Sequence, residues 1–135
     1  MVHIGKRIHI APFSLISGIG GVYISDDCSI AANAKIYSFS NHYRSNEDPS
    51  NTKIFFTPLV DEKCQFMIEG PIVLGNNVGI GLNSIILPGV VIGKNSFVSM
   101  NSIVMFSLRK NSIIEGYPAR RVRERFESAS HNETV

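Results

Sequence analysis

Histidine is the side chain whose unperturbed charge changes near neutral pH, so a search for proton-transfer chemistry begins there. The 135-residue chain has four: His3, His9, His42 and His131. His42 stands apart by its position in the chain. It opens the polar run His42-Tyr43-Arg44-Ser45-Asn46-Glu47-Asp48-Pro49-Ser50-Asn51, at the point where a regular series of aliphatic residues stops. An imidazole with a pKa of about 6.5 is largely neutral at cytoplasmic pH and can take a proton from an attacking hydroxyl. A second concentration of chemistry lies near the end of the chain. There Arg109, Lys110, Arg120, Arg121, Arg123 and Arg125 share a stretch with Glu115 and Glu124. Guanidinium groups suit phosphate, whereas a plain solvated cap would use the same arginines for solubility. Cys28 and Cys64 fit no metal-ligand spacing and read as free, buried thiols.

Composition narrows the classes. A net charge of +2 is too small to make nucleic acid the main partner. No apolar run approaches the roughly 20 residues that span a bilayer. Met1 to Ile10, with Lys6, Arg7 and two histidines, lacks the apolar centre of a signal peptide. One cytoplasmic domain is expected.

What must position His42 and the basic stretch is a repeat. Stepping in sixes, Ile68, Leu74, Ile80, Ile86, Ile92, Val98 and Val104 share one register, and Ile4, Ile10, Ile16 and then Ile24, Ile30, Ile36 repeat it after a slip at Gly20-Gly21. Three residues after the aliphatics come Asp27, Asn33, Asn77, Asn83, Gly89, Asn95 and Asn101, types that tolerate left-handed backbone at tight corners. Four after come small or β-branched residues, among them Ser14, Cys28, Ala34, Val78, Ser84, Val90, Ser96 and Ser102. Each six is a short strand and a corner, and three sixes close a triangular coil. A period of six matches no α-helix. The register predicts an aliphatic at position 42, finds His42, and resumes at Ile68, so an excursion over 42–67 is expected, with a packed apolar middle at Ile54-Phe55-Phe56 and Leu59-Val60.

Ile80-Gly81-Leu82-Asn83-Ser84-Ile85-Ile86-Leu87-Pro88-Gly89-Val90-Val91-Ile92-Gly93 resembles the signature of the hexapeptide acyltransferase superfamily. Glu115-Gly116-Tyr117-Pro118-Ala119-Arg120 resembles its usual close, and the match runs over about residues 4 to 125. The resemblance implies an all-β, left-handed parallel β-helix over 1–127 with the excursion and a short C-terminal helix within a cap over 116–127. A disordered tail is expected over 128–135. It also implies acetyl-CoA as co-substrate, no metal, and a homotrimer with sites between subunits.

Residue by residue, His42 matches the histidine at which sugar acetyltransferases of this superfamily leave the coil, and is the expected general base. Its neighbours Asn41, Tyr43 and Arg44 are the candidates for holding a sugar acceptor. Gly81, Asn83, Ser99 and Met100 match positions along the pantetheine arm, and Arg120 and Arg123 match arginines near the CoA phosphates. Two departures stand out. Gly79 replaces a Trp common among relatives, and Met105-Phe106 replaces a Thr-Lys pair whose charge Arg109 and Lys110 are placed to supply. The leading expectation is O-acetylation of a sugar or surface-polysaccharide precursor by direct attack. The alternatives are N-acetylation of a free or nucleotide-linked amino sugar and a non-catalytic structural β-helix. A zinc enzyme on the same coil needs three ligating histidines in a pattern that His3, His9, His42 and His131 do not offer.

Overall fold

The computed structural model describes residues 1–127, so the tail expected over 128–135 lies outside the described residues, as does His131. Strands β1 (Val2–Ile4), β2 (His9–Ile10) and β3 (Leu15–Ser17) form a first coil, and β4 (Val22–Ile24), β5 (Ser29–Ile30) and β6 (Lys35–Tyr37) a second. After an excursion come β9 (Ile72–Leu74), β10 (Gly79–Ile80) and β11 (Ile85–Ile86), then β12 (Val91–Ile92), β13 (Phe97–Val98) and β14 (Ile103–Val104). Coils stack in parallel register and make three faces. Face one is β1-β4-β9-β12, face two carries β2-β5-β10-β13, and face three is β3-β6-β11-β14. Leu108 starts a fifth turn by bridging to Ile92. This is a parallel β-helix.

The sixfold register is its core. Ile24, Ile30, Ile36, Leu74, Ile80, Ile86, Ile92, Val98 and Val104 are buried and point down the axis. The first coil has no coil beneath it among the described residues, so Ile4 and Ile10 stay exposed. The small residues of the register fill the corners from inside: Ala34, Val78, Ser84, Val90, Ser96 and Ser102 are all buried. The serines are satisfied there, Ser84 Oγ donating to the Ser99 carbonyl at 2.9 Å and Ser96 Oγ to that of Arg109 at 3.3 Å. Cys28 is a free thiol in the same layer, and its burial pushes the thiol pKa up. Cys64 is free and only half-buried.

The corners behave as their residue types require. Asp27, Asn33, Asn77, Asn83, Asn95 and Asn101 all have φ between 58° and 64°, and Gly89 has 81°. Stacked in register, their side chains bond one another. Asn33 Nδ2 donates to Asn83 Oδ1 at 2.7 Å and Asn83 Nδ2 to Asn101 Oδ1 at 2.8 Å, an amide ladder between faces two and three. Between faces one and two Asn77 donates to Asn95 at 3.1 Å, and lower down Arg7 pairs with Asp27, holding that carboxyl below the usual range. Arg7 and Phe13 occupy left-handed corners too, at φ 56° and 65°. The third corner uses glycine instead, because backbones touch: a Cβ on Gly70 would lie 3.0 Å from the Cα of Gly89.

Two expectations need correction. The C-terminal helix is absent from the described residues. Strand β15 (Ser112–Gly116) continues face two beside β13, and β16 (Ala119–Glu124) turns back antiparallel on it. Gly116, at φ 107°, and Pro118 make the turn, and Ala119 packs inward while Arg120, Val122 and Arg123 stay out. A strand finishes the open edge of face two with backbone hydrogen bonds, which a helix would not supply. The coil also does not resume at Ile68. Strand β7 (Phe39–Asn41) pairs antiparallel with β8 (Met67–Glu69), so Ile68 lies opposite Ser40 in a neck outside the coil, and the core restarts with Ile72 and Leu74.

Candidate functional site

His42 comes directly after the neck, at the corner between faces three and one. It lies outside the core and is half-buried, so it fills no register position. Its backbone N–H donates to the Phe66 carbonyl at 2.8 Å, tying it to the returning strand. The ring stacks on Tyr43 (centroids 4.5 Å apart) and meets Phe66 edge-on at 5.7 Å. Nδ1 lies 2.8 Å from the Arg44 carbonyl oxygen, which can only accept, so this contact calls for the proton on Nδ1. The Arg44 amide approaches the same nitrogen at 3.4 Å, which would call for the other tautomer, and as the longer contact it yields. Neutral His42 therefore presents a bare Nε2.

The acceptor candidates cluster around it. Tyr43 is exposed beneath the imidazole, and the Arg44 guanidinium lies 5.5 Å from the Tyr43 ring centroid. Asn41 points its amide back into the excursion, donating to the Phe56 carbonyl at 3.2 Å. The packed apolar middle expected there is only partly present, since Phe55, Phe56 and Leu59 are exposed.

The cofactor candidates divide. Gly81, Ser99 and Met100 line one open groove of about 380 Å³ on face two, with Phe97 and Leu82, and no charged side chain borders it. Asn83 sits at the adjoining corner inside the amide ladder. Ser99 Oγ lies 3.3 Å from Glu115 Oε1, and the Arg123 guanidinium reaches the same oxygen at 3.4 Å, so Arg123 is linked to the groove but already paired. Arg120 is stacked on Phe106, 4.9 Å from the ring centroid. Arg109 and Lys110 are exposed at the corner between faces one and two, and Arg109 borders a separate hollow with Ser107, Leu108 and Arg121. The sequence reading missed Phe97, Leu82 and Ser29 as groove residues. Their signal is the outward position of face two, where Ser29, Gly79 and Phe97 stack in one column.

No residue of the excursion lines the groove. His42 leaves from the corner opposite face two, so one copy of the chain does not bring base and groove together.

Among the described residues no group of His, Cys, Asp and Glu is placed to hold a metal, and no helix is long and apolar enough to cross a membrane.

Comparison with known proteins agrees with this architecture. Residues 71–105 match the family described as the hexapeptide repeat of succinyl-transferase. The chain is 33% identical to a dTDP-4-amino-4,6-dideoxy-D-glucose acyltransferase of Escherichia coli, over 99% of its own length and 66% of that protein's. It is also 33% identical to the galactoside O-acetyltransferase of Escherichia coli K12, over 91% of this chain and 54% of that one. The chain thus spans from about half to just under two thirds of these curated relatives. A crystal structure of the S84A mutant of AntD, an N-acyltransferase from Bacillus cereus in complex with dTDP-4-amino-4,6-dideoxyglucose and coenzyme A, superposes with a TM-score of 0.83 at 28% identity, over 98% of this chain and 68% of that one. With coil register, left-handed corners and whole-chain likeness in agreement, the chain belongs to the hexapeptide-repeat acyltransferase superfamily, the left-handed parallel β-helix proteins.

Proposed function

We propose that this chain is an acetyl-CoA-dependent acetyltransferase acting on a sugar, with His42 as general base. The observation that carries the reading is the imidazole at the root of the excursion, its Nδ1–H directed at the Arg44 carbonyl and its Nε2 left to accept a proton. The neutral groove of Gly81, Ser99 and Met100 suits the uncharged pantetheine arm, and Arg120 stands on the hairpin above it for the phosphates. The acceptor attacks the thioester carbonyl as its proton passes to Nε2, and that proton then goes to the departing thiolate. Transfer is direct within a ternary complex.

We place the acceptor atom on an amino sugar carried by a nucleotide, because a relative that matches nearly the whole chain is named for such a substrate and the solved N-acyltransferase is in complex with it. The O-acetylation expected from sequence is the second reading, favoured by the likeness to the galactoside O-acetyltransferase. His42 serves either, since an ammonium and a hydroxyl must both lose a proton. Because base and groove stand on opposite sides of one coil, the working unit we propose is a homotrimer in which the excursion of one copy meets the groove of the next. The cytoplasm is the compartment we propose, since that is where the acyl donor is made.

Thiol release from acetyl-CoA decides between the acceptors. The chain is incubated with dTDP-4-amino-4,6-dideoxyglucose in one arm and with galactosides and oligosaccharides in another, and acetylated products are read by mass spectrometry. Release with the amino sugar alone supports the first reading, and release with hydroxyl acceptors alone the second. Release in neither arm, despite acetyl-CoA binding, leaves the structural β-helix.

A further inference from the structure

The outward column of face two has a gap in it. His9, Ser29, Gly79, Phe97 and Ile113 stack in register from coil to coil. Gly79 contributes no side chain and Ser29 below it only a hydroxymethyl, so two successive rungs leave a hollow beneath the Phe97 ring. The ring leans into it: a Cβ placed on Gly79 would lie 2.9 Å from Phe97 Cδ2. This hollow is continuous with the groove of Gly81, Ser99 and Met100, because Ser29, Gly79 and Phe97 border it as well. On its other side a space of about 470 Å³ shares the same three residues and ends at Asp27 and Arg125. Leu82, Phe97 and Met100 are each substantially exposed at its rim.

With the pantetheine arm in the groove, the methyl of an acetyl group would leave most of the hollow under Phe97 wet. A longer saturated chain entering from the groove side, which no ionisable side chain borders, would cover it and stop short of Asp27 and Arg125 at the far end. We propose that the hollow over Gly79 is an acyl-chain pocket, and that besides acetyl-CoA this chain takes acyl-CoA donors of four or more carbons, which it binds more tightly. The proposal rests on the acyl-CoA reading above and adds the chemical class of the donor's acyl group.

Isothermal titration of the full chain with CoA, acetyl-CoA, butyryl-CoA and hexanoyl-CoA tests it without knowledge of the acceptor. Butyryl-CoA is expected to bind about three- to tenfold more tightly than acetyl-CoA, the gain from two partly buried methylenes. Gly79→Leu fills the hollow and should bring that ratio to about one. Its nearest obstacle is a movable ring edge, and a thermal melt checks that it folds. Phe97→Ala, which removes the roof, should lower the ratio independently. Equal affinity for the two thioesters, with CoA itself bound, overturns the pocket and leaves the acyl-CoA reading standing. Failure of CoA to bind overturns that reading and the pocket with it. A preference that survives in both variants puts the chain elsewhere and overturns the assignment to Gly79.

Discussion

His42 is held by three contacts that act on different parts of it: its amide by Phe66, its Nδ1 by the Arg44 carbonyl and its ring face by Tyr43. Removing the imidazole should therefore cost proton transfer and little else. His42→Ala is expected to lower kcat by about 10²–10⁴ with the acetyl-CoA dissociation constant nearly unchanged, measured by steady-state kinetics beside titration. Unchanged turnover would remove the role. The two arginines expected at the phosphates are now unequal. Arg123 already shares Glu115 with Ser99, whereas Arg120 rests on the Phe106 ring. Arg120→Ala is expected to weaken acetyl-CoA binding by about tenfold or more, the scale of a charge-assisted contact. Arg123→Ala should have a smaller effect, because the native residue divides its charge. The reverse order in titration would show that Glu115 releases Arg123 to the ligand.

Among the elements, the corners carry the fold's specificity. Asn83 combines a left-handed backbone with two amide bonds, to Asn33 and Asn101. Asn83→Ala meets both costs and should destabilise by about 1–3 kcal/mol, while Asn83→Gly keeps the backbone and loses only the ladder, so it should melt between the two. Phe13 offers the converse test. It stands at the foot of the same column in a left-handed conformation, and the residue is 87% exposed. Phe13→Asn should raise the melting temperature, by relieving about 1–2 kcal/mol of backbone strain and adding a rung beside Asn33. A lower melting temperature would mean the ring packs against something. These corners were legible in the sequence because Asn, Asp and Gly recur at one position of the six, and a short period leaves few ways to arrange them. The C-terminal element was not, since an Arg- and Glu-rich stretch suits a helix as well as a hairpin. What chose the hairpin was the open edge of β15, a tertiary fact. Ile68 misled for a related reason: an aliphatic in register looks the same in sequence whether it enters the coil or pairs in the neck with Ser40. Of the groove, Gly81, Ser99 and Met100 were legible, but the wall of Ser29 and Phe97 around Gly79 was not, because those residues come from separate coils and meet only after stacking.

For the whole molecule, the separation of His42 from the groove predicts its assembly. Light scattering coupled to size exclusion at micromolar concentration is expected to give a homotrimer. A stable monomer that still turned over substrate would refute the shared site. A trimer has a further consequence, rooted in the neck. Strands β7 and β8 bring the two ends of the excursion side by side, and Gly70 packs on Gly89 directly behind them. Exit and re-entry are thus set by the neck, whatever the length of chain between them, and closure entropy rises only slowly with that length. Joining Asn41 to Met67 through an Asn-Gly turn should therefore leave the coil folded and acetyl-CoA bound while transfer is lost, as circular dichroism and titration would show. Donor recognition and acceptor chemistry then behave as separately heritable parts. Under the proposed function the segment between Asn41 and Met67 would be a cassette, and exchanging it with that of another β-helix is expected to change the acceptor while acetyl-CoA binding stays.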